Sequence, residues 1–301
     1  IIIPLYFFIR LDGLPNLAAI ALGVGAVVNI ALDYLFIAVY DWGLTGAAWA
    51  TGISEVLSLL VILFYFFMPE RTLSFSFRQN NWMEVFQAAY NGISEFINEV
   101  SGAIIAFIFN WMLIQRAGVD GVAAITVVNY MLMTGFMMFF AIEDTSQVMI
   151  SQNYGARNAQ RTKAFLKTAC VIVALLSLFF ITVLVTASGP LIYLFVNEKD
   201  SAQTVILALE FVTYVWPIFI FAGFNMMITG YLTAIHLPFQ SALLALSRGL
   251  ILPTGLLILF YSLVSDFQFI AALSIAEGAA FILALALFIG YSPEKVISGD
   301  R

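Results

Sequence analysis

Eight long apolar runs follow one another along this chain of 301 residues, at 17–40, 44–68, 84–114, 121–142, 164–187, 204–230, 240–263 and 267–290. Each meets the roughly 20 residues that an α-helix needs to cross the hydrocarbon core of a bilayer. Buried strands of a soluble domain would be far shorter, about 3–10 residues. Composition agrees: 62% of the residues are hydrophobic, 10% are charged and mean hydropathy is +1.01, whereas soluble domains carry about 25% charged residues. So little polar surface cannot face water, and lipid is the solvent that fits. The predicted fold class is an all-α polytopic membrane protein. Ile1 to Ile9 form a further apolar stub. At about 1.5 Å per residue it is too short to cross, and it reads as the end of a span whose beginning lies upstream.

Charge then sets the orientation. Arg10, Arg71, Arg78, Arg157, Arg161, Lys163, Lys167, Lys295 and Arg301 fall on one set of alternate loops and the C-terminal tail. The other set carries Arg116 and Lys199, and Arg248 sits inside a span. Cytoplasmic loops are the ones enriched in Lys and Arg, so the first set, tail included, is expected inside a cell (inner) membrane. The longest interior loops are 69–83, which reads as a linker at Pro69, and 143–163. The 12 Lys and Arg form no patch for nucleic acid, and a lone Cys170 excludes a disulfide framework or a Cys-based metal site. No HExxH, GxSxG or Walker A pattern occurs, so no enzyme reading has a motif behind it.

Residues 10–55 can be laid on 233–278 at a constant offset of 223. Leu14-Pro15 falls on Leu237-Pro238, Ala48 on Ala271 and Thr51 on Ser274. Identity is thin, and it is the matching order of loop, span, short outer loop and span that suggests a parallel repeat of the kind transporters use.

Ionisable groups in spans are costly and usually face the protein interior or a water-filled path. Here they are mainly acidic: Asp33, Glu55, Glu95, Glu99, Glu210 and Glu277, against Arg248. That sign favours cations or protons. Asn29 and Asp33 lie four apart on one helix face, and the short connection Asp41-Trp42-Gly43 makes the next span, with Thr51, an antiparallel neighbour. These oxygens suit a proton or small hard cation; a polar packing network is the alternative, and Gly23, Gly25 and Ala26 fit close packing. A second polar stripe, Asn91, Glu95, Asn98, Glu99 and Gly102, marks one face of the third span. Its two carboxylates can exchange protons for a cationic ligand, or Glu95 can sit in the headgroup zone. Met131, Met133, Met137 and Met138 offer either core packing or an adaptable apolar wall. Tyr130 and Trp111 can face a cation. Pro217 and Pro253 are expected to kink their spans, and His236 to be a solvated loop residue.

At these residues the chain resembles the multidrug and toxic compound extrusion (MATE) family. Arg10-Leu-Asp-Gly-Leu-Pro15, Val28-Asn-Ile-Ala-Leu-Asp-Tyr-Leu-Phe-Ile37 and Trp42-Gly-Leu-Thr-Gly-Ala-Ala-Trp-Ala-Thr51 look like its fourth loop, fifth span and sixth span. Asn91-Gly-Ile-Ser-Glu-Phe-Ile-Asn-Glu99 looks like its seventh span in the bacterial multidrug branch, and Ile150-Ser-Gln-Asn-Tyr-Gly-Ala156 like the loop after its eighth. The resemblance implies a monomer of two six-helix lobes, alternating access, and export of small organic cations across the bilayer. It implies no cofactor beyond a coupling ion, H⁺ or Na⁺. Residues 1–68 would end the first lobe, 69–83 link the lobes, 84–290 form the second and 291–301 the tail, with three spans and most of a fourth lying upstream. Asn29, Asp33 and Thr51 match three members of the family's ion or proton site, whose fourth, an Asp of the first span, lies outside this sequence. Glu95 and Glu99 match acidic positions of the branch. With Asn225 near the place where other branches carry an acid, no second-lobe Na⁺ site is expected, and the substrate cavity is assigned to Asn91, Glu95, Asn98, Glu99, Tyr130 and Asn225. A lipid-linked oligosaccharide flippase of the same superfamily is the alternative, though its anionic substrates call for more basic residues than Arg248. A cation channel or scaffold subunit is the third reading.

Overall fold

A computed structural model describes residues 2–69, 71–74, 81–196 and 202–298. The chain divides into two compact units, Ile1–Asn81 and Trp82–Arg301. The boundary falls in the stretch read as a linker, part of which (70 and 75–80) lies outside the described residues.

In the first unit, α1 (Ile2–Leu11) turns into α2 (Pro15–Asp33), which continues as a π-helical segment Tyr34–Val39. A tight turn leads to α3 (Gly43–Leu63). The two long helices pack through small residues spaced four apart, Ala21 and Gly25 on α2 against Gly46, Ala50, Ser54 and Ser58 on α3. With no hydrophobic drive between helices in lipid, such close backbone approach is what holds them. Gly25 makes room there, for a Cβ on it would lie 1.9 Å from Ser58 Oγ and 3.3 Å from Ser58 Cβ. Gly23 and Ala26, read from sequence as part of this seam, are instead exposed. At this turn Phe36, Tyr40 and Trp42 stack at 5.0–6.4 Å between centroids.

The second unit opens with α4 (Trp82–Asn91) and the 63-residue α5 (Ile93–Gly155). At about 1.5 Å per residue α5 would be about 95 Å long, three times a hydrocarbon core of about 30 Å. It breaks at Gly118, whose φ of 62° and ψ of −153° only glycine adopts readily, so 93–117 and 119–155 are two antiparallel crossings. Next come α6 (Ala159–Ile192), and α7 (Ala202–Val215) with α8 (Ile218–Ala234), bent by 54° where Pro217 stands. They are followed by α9 (Pro238–Leu246), a π segment Ser247–Ile251, α10 (Leu252–Leu263), α11 (Ala271–Gly290) and the short α12 (Pro293–Ser298). Among the described residues six helical runs, and the bent pair as a seventh, are long and apolar enough to span a membrane. Counting α5 as two gives the eight crossings expected. α8 is largely apolar and buried on nearly all sides, as a central helix must be. Phe139, Phe180 and Phe219 cluster around it, with Gly135 and Gly223 making room.

Two expectations need correction. The interior loop 143–163 is helix up to Gly155, and only Ala156–Asn158 turn, with Asn158 capping α6 through Arg161 N at 3.0 Å. The stripe beginning at Asn91 is interrupted by Gly92, which ends α4, so Asn91 is not on one continuous helix with Glu95.

The repeat is legible in backbone geometry. Gly13 and His236 both take positive φ, 89° and 58°. Leu14 and Leu237 follow at φ −113°, ψ 53° and φ −111°, ψ 65°. The same bond closes both turns, Leu14 N to Ile9 O at 3.2 Å and Leu237 N to Leu232 O at 3.0 Å.

Candidate functional site

In the second unit the two halves of α5, α8, the π segment, α10 and α11 enclose a cavity of about 660 Å³. Leu132, Met133, Phe136 and Phe140 supply an apolar wall from the second half of α5, while Asn98 and Glu99 come from the first. Arg248 and Glu277 complete the charged lining. A large apolar pocket with a few convergent polar groups is where ligands generally bind.

Arg248 owes its place to the π segment. One extra residue per turn rotates the helix, and Gly249 lets the bulge lie against α5, where an added Cβ would come within 3.0 Å of Ser101 Cβ. Such bulges gather at functional sites. The guanidinium Nη2 donates to Glu277 Oε1 at 3.0 Å, both side chains being about nine-tenths buried (10% and 12% exposed). Asn225, wholly buried on α8, donates its amide to Glu277 Oε2 at 2.6 Å and to the Glu277 carbonyl at 2.9 Å. The pair therefore nearly cancels. Arg248 Nε and Asn225 Oδ1 are buried without a hydrogen-bond partner.

Toward the predicted cytoplasmic end lies a second polar group. Glu143 is 5% exposed, packs on Gly230, and leaves Oε1 without a partner. The charges it feels are those of Glu95, Arg248 and Asp144. Beside it Ser94, Thr233 and Ser241 join hydroxyls at 3.2 and 2.8 Å, and Asn91 Nδ2 reaches the Thr233 carbonyl at 3.5 Å.

Of the residues read from sequence, Asn98 and Glu99 line the cavity. Asn225 stands behind its wall, and Asn91 belongs to the hydroxyl group below. Glu95, exposed on α5, is within electrostatic reach of Arg248 and Glu99. Tyr130 stacks on Phe195 at 5.9 Å on an exposed face, away from this lining. In the first unit Asn29 and Asp33 are half-buried on α2, and Asp33 Oδ1 is buried without a partner. Thr51 is exposed on α3 and donates to the Ala47 carbonyl at 3.0 Å, so the structure joins it to neither. Sequence reasoning missed Glu143 by ending the span at 142. The signal was there, because Phe139, Glu143, Ser146 and Ile150 continue one buried helical face with no Gly or Pro between them.

The family model described as MatE matches residues 96–252. The multidrug export protein MepA of Staphylococcus haemolyticus is 24% identical over 299 residues, covering 98% of this chain and 64% of that protein. A crystal structure of MATE in complex with MaL6 superposes with a TM-score of 0.82 at 22% identity, covering 95% of this chain and 63% of that one. A multidrug resistance MATE family transporter of the MOP superfamily, in an outward-facing conformation, gives 0.80 at 23% identity with 95% and 63% coverage. The chain thus spans just under two thirds of the length of these relatives.

Proposed function

Because this chain belongs to the MatE family, we propose that the protein exports small lipophilic organic cations across the cell membrane by alternating access, in exchange for H⁺ or Na⁺. The observation that carries the reading is the cavity: an aromatic and methionine wall facing Asn98 and Glu99, with its cationic residue Arg248 already paired to Glu277. A lipophilic cation finds apolar surface, a carboxylate and no free positive charge there. Anionic pyrophosphate lipids, the substrates of the flippase alternative, would need basic groups that this wall does not offer.

Energy would enter through Asp33, whose unpartnered buried oxygen can take a proton or a cation, with Asn29 one turn away. Thr51 would join by turning its hydroxyl from Ala47 toward α2. Glu95 and Glu99 would exchange protons for the cationic ligand. The protein acts as a monomer in the inner membrane with its tail in the cytoplasm.

Expression of the whole reading frame in cells lacking their own exporters should lower ethidium accumulation, and a protonophore or Na⁺ removal should abolish that effect. Equal accumulation with and without correctly inserted protein would count against export.

A further inference from the structure

The Arg248–Glu277 pair stands where the other copy of the repeat has no charge. At the offset that aligns the two Leu-Pro turns, Arg248 falls on Gly25 and Glu277 on Ser54. In the first unit those positions form a plain close approach, a Cβ on Gly25 coming 3.4 Å from the Ser54 carbonyl. The same helix-on-helix contact therefore closes with small residues alone. Burying an ion pair costs desolvation that attraction barely offsets, and apolar replacements are often as stable or more so. Packing α9 and α10 on α11 does not require it. What distinguishes the second copy is that both charged residues line the cavity.

We propose that Glu277, oriented by Asn225, masks the charge of Arg248 and so makes the cavity selective for cations over anions. With the pair intact, Glu99 supplies the net sign of the wall. With Glu277 neutral, a guanidinium whose Nε is already unpartnered turns the same apolar space toward organic anions. Asn225 is a positioning residue: its two hydrogen bonds fix Glu277 so that one oxygen remains for Arg248. This inference rests on the transport reading above and deepens it to the choice of charge.

Tetraphenylphosphonium and tetraphenylborate, nearly identical in shape and opposite in sign, test it by equilibrium binding to the purified full-length protein, corrected for empty micelles. The wild type should prefer the cation. Glu277→Gln should lose at least tenfold in cation affinity and gain anion binding, whereas Glu99→Gln should lose cation affinity without that gain. Arg248→Gln, which unmasks Glu277, should bind the cation more tightly, and Arg248→Gln with Glu277→Gln should return to the wild-type preference. A merely structural pair would weaken both ligands in every variant. If Glu277→Gln fails to fold, the Arg248→Gln result decides alone: unchanged or weaker cation binding overturns the proposal. Ethidium export by the wild type, measured in parallel, separates the two ideas. Export with unaltered charge preference in the variants removes only the masking role, and absence of both export and cation binding in the wild type removes the transport reading and this one together.

Discussion

Asp33 carries the sharpest residue-scale prediction. Its buried oxygen without a partner is costly in lipid, and nothing in the packing of α2 on α3 uses it, since that contact runs through Gly25, Ser54 and Ser58. Asp33→Asn keeps size and hydrogen bonding and removes ionisation. Ethidium export driven by the ion gradient should therefore disappear while thermal stability in detergent stays put; normal export with unchanged pH dependence would make Asp33 structural. Asp12, outside the spans, behaves differently. Its carboxylate accepts from the Thr72 and Tyr65 hydroxyls and from Thr72 N at 3.2 Å, and these bonds hold it below the usual carboxylate range. A depressed acid contributes stability that is complete above its unfolded value of 3.8 and is lost as pH falls through the lower folded value. From about pH 5 to about pH 8 the clamp on Thr72 and Leu73 should be unaffected. Asp12→Asn should nevertheless raise amide exchange at Thr72 across that whole range, because it replaces a charged acceptor with a weaker one.

At the scale of the element, the α2–α3 seam gives a prediction in which two magnitudes compete. Gly25→Ala should gain roughly 0.8–1.0 kcal/mol of helix propensity, but overpacking typically costs about 1–3 kcal/mol, and the new Cβ meets Ser58 Oγ at 1.9 Å and Ser58 Cβ at 3.3 Å. The single variant should melt below the wild type. Adding Ser58→Gly removes both contacts and leaves the Ser54 carbonyl at an ordinary 3.4 Å, so the double variant should recover; a double no better than the single would place the strain elsewhere. The same seam shows what the sequence could reveal. Long apolar runs and the repeated Leu-Pro turn were readable because they depend on local composition and on backbone torsions that a few residues impose. Which glycine faced the partner was not, since Gly23 and Gly25 differ only in helix rotation. For the same reason Glu277 was recognised as an intramembrane acid but its pairing with Arg248, 29 positions away on another helix, was not. Glu143 escaped because a span was ended where its apolar run ended, although its helix continues for three more turns.

For the molecule as a whole, the contacts between chain-distant ends can be checked against the alternation of crossings. Arg116, at the end of the first half of α5 that is predicted to be outside, donates to the Asp266 carbonyl at 2.7 Å and to that of Tyr261, and lies 4.0 Å from the Tyr261 ring centroid. Tyr261 lies in the last turn of α10 and Asp266 in the connection to α11, an end that the basic-residue count also places outside. Lys163 pairs with Glu294 at 2.5 Å and Tyr154 faces His236 at 6.3 Å, each contact joining ends predicted to be inside. Arg116 thus does structural work that explains its place on the sparsely basic side. The basic-residue count then predicts that the α10–α11 turn is external and that the start of α6 and the C-terminal helix are cytoplasmic. In a Cys170→Ser background, Ser265→Cys and Gln160→Cys put single thiols at exposed positions on the two faces. A membrane-impermeant maleimide should label the first in intact cells and the second only after permeabilisation. The reverse pattern would invert the protein and take the exchange of an outgoing cation for an incoming ion with it. Labelling of both without permeabilisation would mean that an odd number of crossings separates them no longer, so that α6, the bent α7–α8 pair or the α9–α10 run fails to span.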